Sequence, residues 1–93
     1  MIVRIATEGQ YELVGQALQE LDEADDALLD AIESGDEAAF ARELARVVGI
    51  VRSRGRRLDD RELKESDLVL PPPDTTLEEA RALFRDYPRE LVT

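Results

Sequence analysis

Two amphipathic stretches joined by a short turn, Ser34-Gly35-Asp36, constrain the fold of this chain more than any other feature. Apolar residues recur every three or four positions over residues 14–32 and again over residues 40–51, which is the spacing of one face of a helix. Gly35 suits the left-handed position just after a helix, and Asp36 suits the N-cap of the next one. Because so short a connection forces the helices to run antiparallel, the sequence predicts a helical hairpin over residues 14–54, ended by Gly55.

Short β-rich runs lie on both sides of this hairpin. Residues 1–6 read Met-Ile-Val-Arg-Ile-Ala, residues 7–9 are typical of a turn, and residues 10–13 provide a returning strand. A two-stranded β-hairpin is weak alone and needs a third strand or a helix packed against it. Residues 66–70 are the best candidate for that third strand.

The segment after the hairpin is expected to be a polar loop followed by a rigid spacer. Residues 56–65 carry only Leu58 and Leu63 as apolar anchors. Pro71-Pro72-Pro73 fixes an extended backbone without strand donors. We interpret the prolines as a spacer that ends the strand and aims the next helix, since the PxxP pattern of an SH3 ligand is absent.

A third helix is predicted near the C-terminus. Either Thr75 with Glu78 or Thr76 with Glu79 fits a capping box, so this helix begins near Thr76. Its apolar face consists of Leu77, Ala80, Leu83 and Phe84, its end is expected at Pro88, and residues 89–93 are expected to be frayed. The predicted fold class is α+β in a single domain over residues 1–93: a small antiparallel sheet of about three strands packed on an antiparallel helical hairpin, plus a C-terminal helix.

The charges divide sharply along the chain. Residues 5–41 hold 11 Asp and Glu and no Lys or Arg, whereas residues 42–57 hold six Arg and one acid, Glu43. Antiparallel pairing of the helices places the end of this basic run near the start of the first helix. The charges either match within the chain, each exposed pair contributing about 0–1 kcal/mol, or form a dipolar binding surface. We prefer the first interpretation because charge runs usually form solvated faces.

Two charged surfaces are nevertheless the candidate sites for a binding partner. The first, the acidic face of the first helix, consists of Asp22, Glu23, Asp26 and Asp30. The second, the arginine cluster, consists of Arg52, Arg54, Arg56 and Arg57. The hairpin tip is expected to be an additional acidic patch without a basic neighbour in sequence, and it consists of Asp30, Glu33, Asp36 and Glu37.

Asp25 falls inside the predicted apolar stripe, between Leu21 and Leu28. A buried carboxylate is costly unless it is paired. It either faces a partner or acts as a switch, or else the stripe bends away or an Arg reaches it. We prefer the second pair of explanations, since buried charges are normally paired.

The residues that common enzymes and metal sites need are missing from this chain. It contains no His and no Cys, which excludes ordinary zinc sites and leaves its Ser residues without an activating base. Asp22, Asp26 and Asp30 recur every four residues, but a face of carboxylates alone lacks the loop carbonyls of a calcium site. We therefore predict no catalytic residues, no cofactor and no metal.

The net charge of −10 limits the class of partner. It argues against nucleic-acid binding and against direct contact with an anionic membrane. No apolar run approaches the ~20 residues of a membrane span, and no signal peptide is recognised, so a cytoplasmic location is expected. The aliphatic core is modest, and cores of that kind often gain stability from homo-oligomerisation.

Three segments, taken in their order and spacing, resemble a known family. They are residues 1–11, with Met1-Ile-Val-Arg-Ile and Glu8-Gly-Gln-Tyr11; residues 35–58, with Gly35-Asp-Glu-Ala-Ala-Phe40, Val51, Gly55 and Leu58; and residues 62–79, with Glu62-Leu, Ser66-Asp-Leu-Val-Leu-Pro-Pro-Pro-Asp74 and Thr76-Leu-Glu-Glu79. Together they are similar to the PspA-associated protein family, PspAA, best known from actinobacteria. Val14-Gly15 departs from the polar helix cap that the resemblance leads us to expect.

The resemblance implies a cytoplasmic protein that works with a homologue of phage shock protein A in envelope stress. That partner is a membrane-associated, polymer-forming coiled coil related to the ESCRT-III machinery. The resemblance implies no catalytic or ligand-binding residues. Two functional hypotheses follow: a non-enzymatic adaptor or regulator of a PspA-like coiled coil, or an acidic inhibitor or antitoxin-like protein that masks a basic enzyme or a nucleic-acid-binding surface.

Overall fold

The structure is a computed structural model that describes residues 1–59, 61–62 and 64–83. Within this part, four strands and three helices confirm the predicted α+β fold. The elements are β1 (Ile2–Ile5), β2 (Gly9–Glu12), α1 (Gln16–Ser34), α2 (Glu37–Arg54), β3 (Arg56–Arg57), β4 (Leu68–Leu70) and α3 (Leu77–Leu83). The predicted roles of Leu63, Phe84, Pro88 and residues 89–93 fall outside the described residues.

The turn of the helical hairpin and the end of α2 lie where the sequence predicts, whereas α1 begins at Gln16 rather than at residue 14. Gly35 adopts the left-handed conformation, with φ of 73°, and its N–H donates to the carbonyl of Ala31 at 3.1 Å. The Asp36 carboxylate accepts a hydrogen bond from the N–H of Ala39 at 3.0 Å, which caps α2. The start of α1 is different, because Gly15 is its N-cap and supplies no side-chain hydrogen bond.

The sheet is mixed, which corrects the prediction of an antiparallel one. Its strand order is β3-β2-β1-β4; β1 pairs antiparallel with β2, while β4 runs parallel to β1, with Val3 opposite Leu68. The chain leaves β2, passes through the whole helical hairpin and the following loop, and returns on the far side of β1. So long a connection permits a parallel pairing, and the residues of β4 carry no signal for its direction.

The fourth strand of the sheet, β3, was not predicted from the sequence. Residues 56–57 were expected to begin a loop, but they form β3 and pair with β2, where Tyr11 lies opposite Arg57. Two exposed arginines give no apolar alternation, so the sequence pattern concealed the strand. The predicted apolar anchor Leu58 directly follows β3 and is buried.

One continuous core joins the sheet to the helical hairpin. Val3, Ile5 and Leu70 of the sheet are fully buried in the same cluster as the facing stripes of α1 and α2. The end of α2 lies so close to β2 that a Cβ on Gly55 would stand 3.0 Å from the Cβ of Tyr11. This close contact, together with β3, sets the end of α2 beside the β1–β2 turn.

The third helix begins with the predicted capping box, in its Thr76–Glu79 form. Glu79 accepts from the backbone N–H of Thr76 at 3.1 Å, and the N–H of Glu79 donates to Thr76 Oγ1 at 3.2 Å. Leu77 and Ala80 are buried against the tip of the helical hairpin. The segment 71–76 therefore sets the first turn of α3 beside the first turn of α2.

Candidate functional site

The first member of the arginine cluster is bound within the chain. Arg52, in the last turn of α2, donates to both carboxylate oxygens of Glu8 in the β1–β2 turn, with Nε to Oε1 at 2.8 Å and Nη2 to Oε2 at 2.7 Å. Such a two-pronged contact fixes geometry as well as matching charge. It ties the turn of the sheet to the end of the helix.

The other three members of the arginine cluster have partners in the chain as well. Arg54 Nη1 lies 2.6 Å from Glu20 Oε2, and Arg56 Nη2 lies 3.2 Å from Glu12 Oε1. Arg57 donates to the backbone carbonyl of Glu8 at 2.9 Å, and its guanidinium lies over the Tyr11 ring at 6.0 Å. These contacts support the interpretation that the basic run matches acids of the same molecule.

Glu8 is the centre of this network, and the network changes how it titrates. Hydrogen bonding from Arg52 holds the pKa of the Glu8 carboxyl below its ordinary value, and the Tyr11 hydroxyl donates to the same carboxylate at 3.1 Å. Burial, with this hydrogen bond as a second cause, raises the pKa of Tyr11.

Thr7, the residue before Glu8, has a backbone φ of 70°, which is rare for a β-branched residue.

The acidic face of α1 lies opposite the side that packs on α2. Glu23 and Asp30 are exposed, while Asp22 and Asp26 are half-buried. Asp22 and Asp30 also make contacts within the chain. At 100° per residue the four side chains cover about a quarter to a third of the helix circumference. They form one anionic strip, which begins at Asp22 and Glu23 and ends two turns later at Asp30.

Asp25 lies deep in the core, with 0% exposure. The expectation that the apolar stripe bends away at this position is therefore wrong. The side chain is engaged in a contact within the chain. Its burial also keeps it from touching a protein docked on the surface of α1.

The hairpin tip has acquired a basic neighbour that is distant in sequence. Arg81 of α3 donates to the carbonyl of Ile32 in the last turn of α1 at 3.4 Å. A cation at this position suits the negative end of the α1 dipole. The tip is therefore less acidic than the sequence around residues 30–37 suggested.

A groove that the sequence did not predict lies between the first turns of α2 and α3. It encloses about 390 Å³, and its walls include Phe40, Leu77, Glu37 and Glu78. Glu37 was recognised as a tip residue, and Glu78 only as a candidate for capping. The available signal was that each helix start carries a second carboxylate next to the one that caps it, but only the placement of α3 brings the two together.

The part of the chain that the structure describes contains neither a metal site nor a membrane-spanning helix. No group of three or more Asp or Glu residues there is arranged to hold a metal ion. No helix of that part combines the length and apolar character needed to cross a membrane. A second pocket, of about 470 Å³, is lined by Arg57, Leu58, Asp59 and Glu62, where Arg57 is already engaged with Glu8 and Tyr11.

Comparison with known proteins identifies the family. No curated protein and no solved structure matches the chain. The family model described as PspA-associated protein matches residues 1–89, which include every described element, both charged surfaces and the groove. The chain therefore belongs to the PspA-associated protein family, PspAA.

Proposed function

We propose that this protein is a non-enzymatic adaptor or regulator that binds a PspA-like coiled coil in the cytoplasm during envelope stress. The family match over residues 1–89 carries this proposal, since the family is described by its association with PspA. The described surface supports it, because it offers charge and shape for a protein partner.

The acidic face of α1 is the surface that we assign to the partner. The arginine cluster already contacts Glu8, Glu12 and Glu20, so a partner that engaged it would have to compete with those contacts. Glu23 and Asp26 of the 19-residue helix α1, in contrast, form no ion pair within the part of the chain that the structure describes. A helical partner with a complementary row of Lys and Arg fits alongside such a strip.

The test is the affinity of the purified chain for a purified PspA-family protein from the same genome. The double variant Glu23→Lys, Asp26→Lys reverses two of the four charges of the acidic face. Glu65→Lys is the control for reversing an exposed carboxylate elsewhere, because Glu65 is exposed in the loop before β4 and is not part of α1. Far-UV circular dichroism establishes that all three proteins fold alike.

We expect the double variant to bind at least about tenfold more weakly, which corresponds to a loss of about 1.4 kcal/mol. The Glu65→Lys control should bind nearly as wild type does. Raising salt from about 0.1 M to about 1 M shortens the Debye length from about 10 Å to about 3 Å, and should weaken wild-type binding. Equal affinities for the wild type and the double variant would refute the assignment of the surface.

A further inference from the structure

The groove between α2 and α3 combines an apolar floor with an acidic rim. Phe40 and Leu77, the large apolar side chains in its lining, are 2% and 8% exposed, so each leaves only an edge at the floor. Ala41 is exposed on the α2 wall. The volume of about 390 Å³ lies within the range of about 300–1,000 Å³ typical of binding pockets.

The two rim carboxylates suit the positive ends of the helix dipoles, but neither makes the hydrogen bond that caps its helix. Asp36 caps α2, and Glu79 completes the capping box of α3. Glu37 and Glu78 are the additional acids beside these caps, and both are exposed. Within the part of the chain that the structure describes, neither forms an ion pair or a side-chain hydrogen bond.

A docked partner that covers the groove must satisfy both carboxylates. A purely apolar segment would take Glu37 and Glu78 out of water without a counter-charge, which is costly. An acidic segment would meet like charge on both walls. A Lys or Arg placed next to an apolar side chain satisfies the rim and fills the floor together.

We propose that this groove receives a helix of the PspA-like partner that carries Lys or Arg beside a large apolar side chain. The proposal depends on the proposed function, to which it adds a second contact surface. The acidic face of α1 then aligns the partner through charge, while the groove accepts one anchoring residue. An anchor in a concave site is typical of protein interfaces, where a few buried residues carry most of the affinity.

A pair of matched substitutions tests the groove by shape. Ala41→Trp fills the groove, whereas Ala45→Trp places the same side chain one turn later on α2, at an exposed position that does not line it. We expect Ala41→Trp to weaken binding of the purified PspA-family protein at least tenfold and Ala45→Trp to leave it unchanged. Melting temperatures of both variants establish that folding is preserved.

A second pair of substitutions tests the rim by charge. Glu37→Gln with Glu78→Gln keeps the shape of the groove and removes its charge, and should also weaken binding about tenfold. If the wild-type protein binds, and both Ala41→Trp and the double Gln variant bind with wild-type affinity, the groove is not the contact surface. The proposed function would then stand without it. If wild type does not bind the PspA-family protein, the proposed function and the groove's assigned occupant both fail.

Discussion

Gly49, within α2, and Gly55, just after it, provide opposite stability predictions from the same chemical change. Gly49 lies exposed within the helix, and a Cβ added there meets nothing within 4 Å. Gly55 follows the helix, and a Cβ there would stand 2.5 Å from the carbonyl oxygen of Val51 and 3.2 Å from Leu13 Cδ1. The Gly55 backbone, with φ of −85°, is otherwise open to any residue, so the contacts alone require glycine.

The two magnitudes follow from these surroundings. Gly49→Ala should raise the free energy of unfolding by about 1 kcal/mol, through helix propensity and a less flexible unfolded chain. Gly55→Ala gains the same unfolded-state term, but its Cβ overlaps the Val51 carbonyl oxygen and crowds Tyr11 and Leu13. Overpacking costs about 1–3 kcal/mol; a contact of 2.5 Å with a backbone atom places this change at the upper end of that range, so the net loss is about 1–2 kcal/mol.

Thermal and urea unfolding of the two variants beside wild type measure the difference. For a domain of this size each kcal/mol shifts the melting temperature by about 4–8 °C. Gly49→Ala should therefore melt about 4–8 °C higher, and Gly55→Ala at least about 4 °C lower. If Gly55→Ala melts as high as Gly49→Ala, the close packing of α2 on β2 described above is wrong.

Three further substitutions test the capping and the Glu8 network. Asp36→Ala removes the cap of α2 and should lower the free energy of unfolding by about 1 kcal/mol in urea titrations, while an unchanged midpoint would refute the cap. Thr7→Asn replaces a β-branched residue in a left-handed conformation with one that tolerates it, and should raise the free energy of unfolding by up to about 1 kcal/mol. A lower free energy of unfolding would mean that the turn is not strained. Since the pKa of Glu8 is lowered from an ordinary 4.5, its stabilisation is present above that pH and is lost as the pH falls through the folded-state pKa. Glu8→Gln should therefore melt below wild type at neutral pH and approach it in acid, and a gap independent of pH would contradict the Arg52 pairing.

Much of the helical hairpin could be predicted because its signals are local. Gly35 and Asp36 are neighbours whose roles depend only on the few residues around them. The direction of β4 depends instead on where a connection of more than fifty residues returns, and no pattern in residues 68–70 encodes that. The two residues of β3 are strand only because β2 lies beside them.

The charged sites show the same division between local and distant information. The sequence indicated that the arginines would meet acids near the start of α1, and the structure places Glu20 there beside Arg54. The pairing of Arg52 with Glu8 spans 44 residues and depends on the register of α2 against the sheet. The groove depends on the placement of α3, which a capping box alone does not determine.

The distribution of charge on the described surface indicates which class of partner the protein binds. Three arginines of the cluster form ion pairs with Glu8, Glu12 and Glu20, so their charges are balanced within the molecule. Glu23 and Asp26 of α1, and Glu37 and Glu78 at the rim of the groove, then leave negative charge on other parts of the surface. Such a surface is complementary to the basic helical partner that we propose.

The central claim is that the protein works by binding a PspA-like coiled coil through charge. Its most direct test is capture of the tagged chain from native lysate at low and at high salt, with bound proteins identified by mass spectrometry. The account predicts a PspA-family coiled coil that is retained at low salt and released at high salt. Recovery of a basic enzyme or a DNA-binding factor without that coiled coil would contradict it and favour an inhibitor that masks basic surfaces.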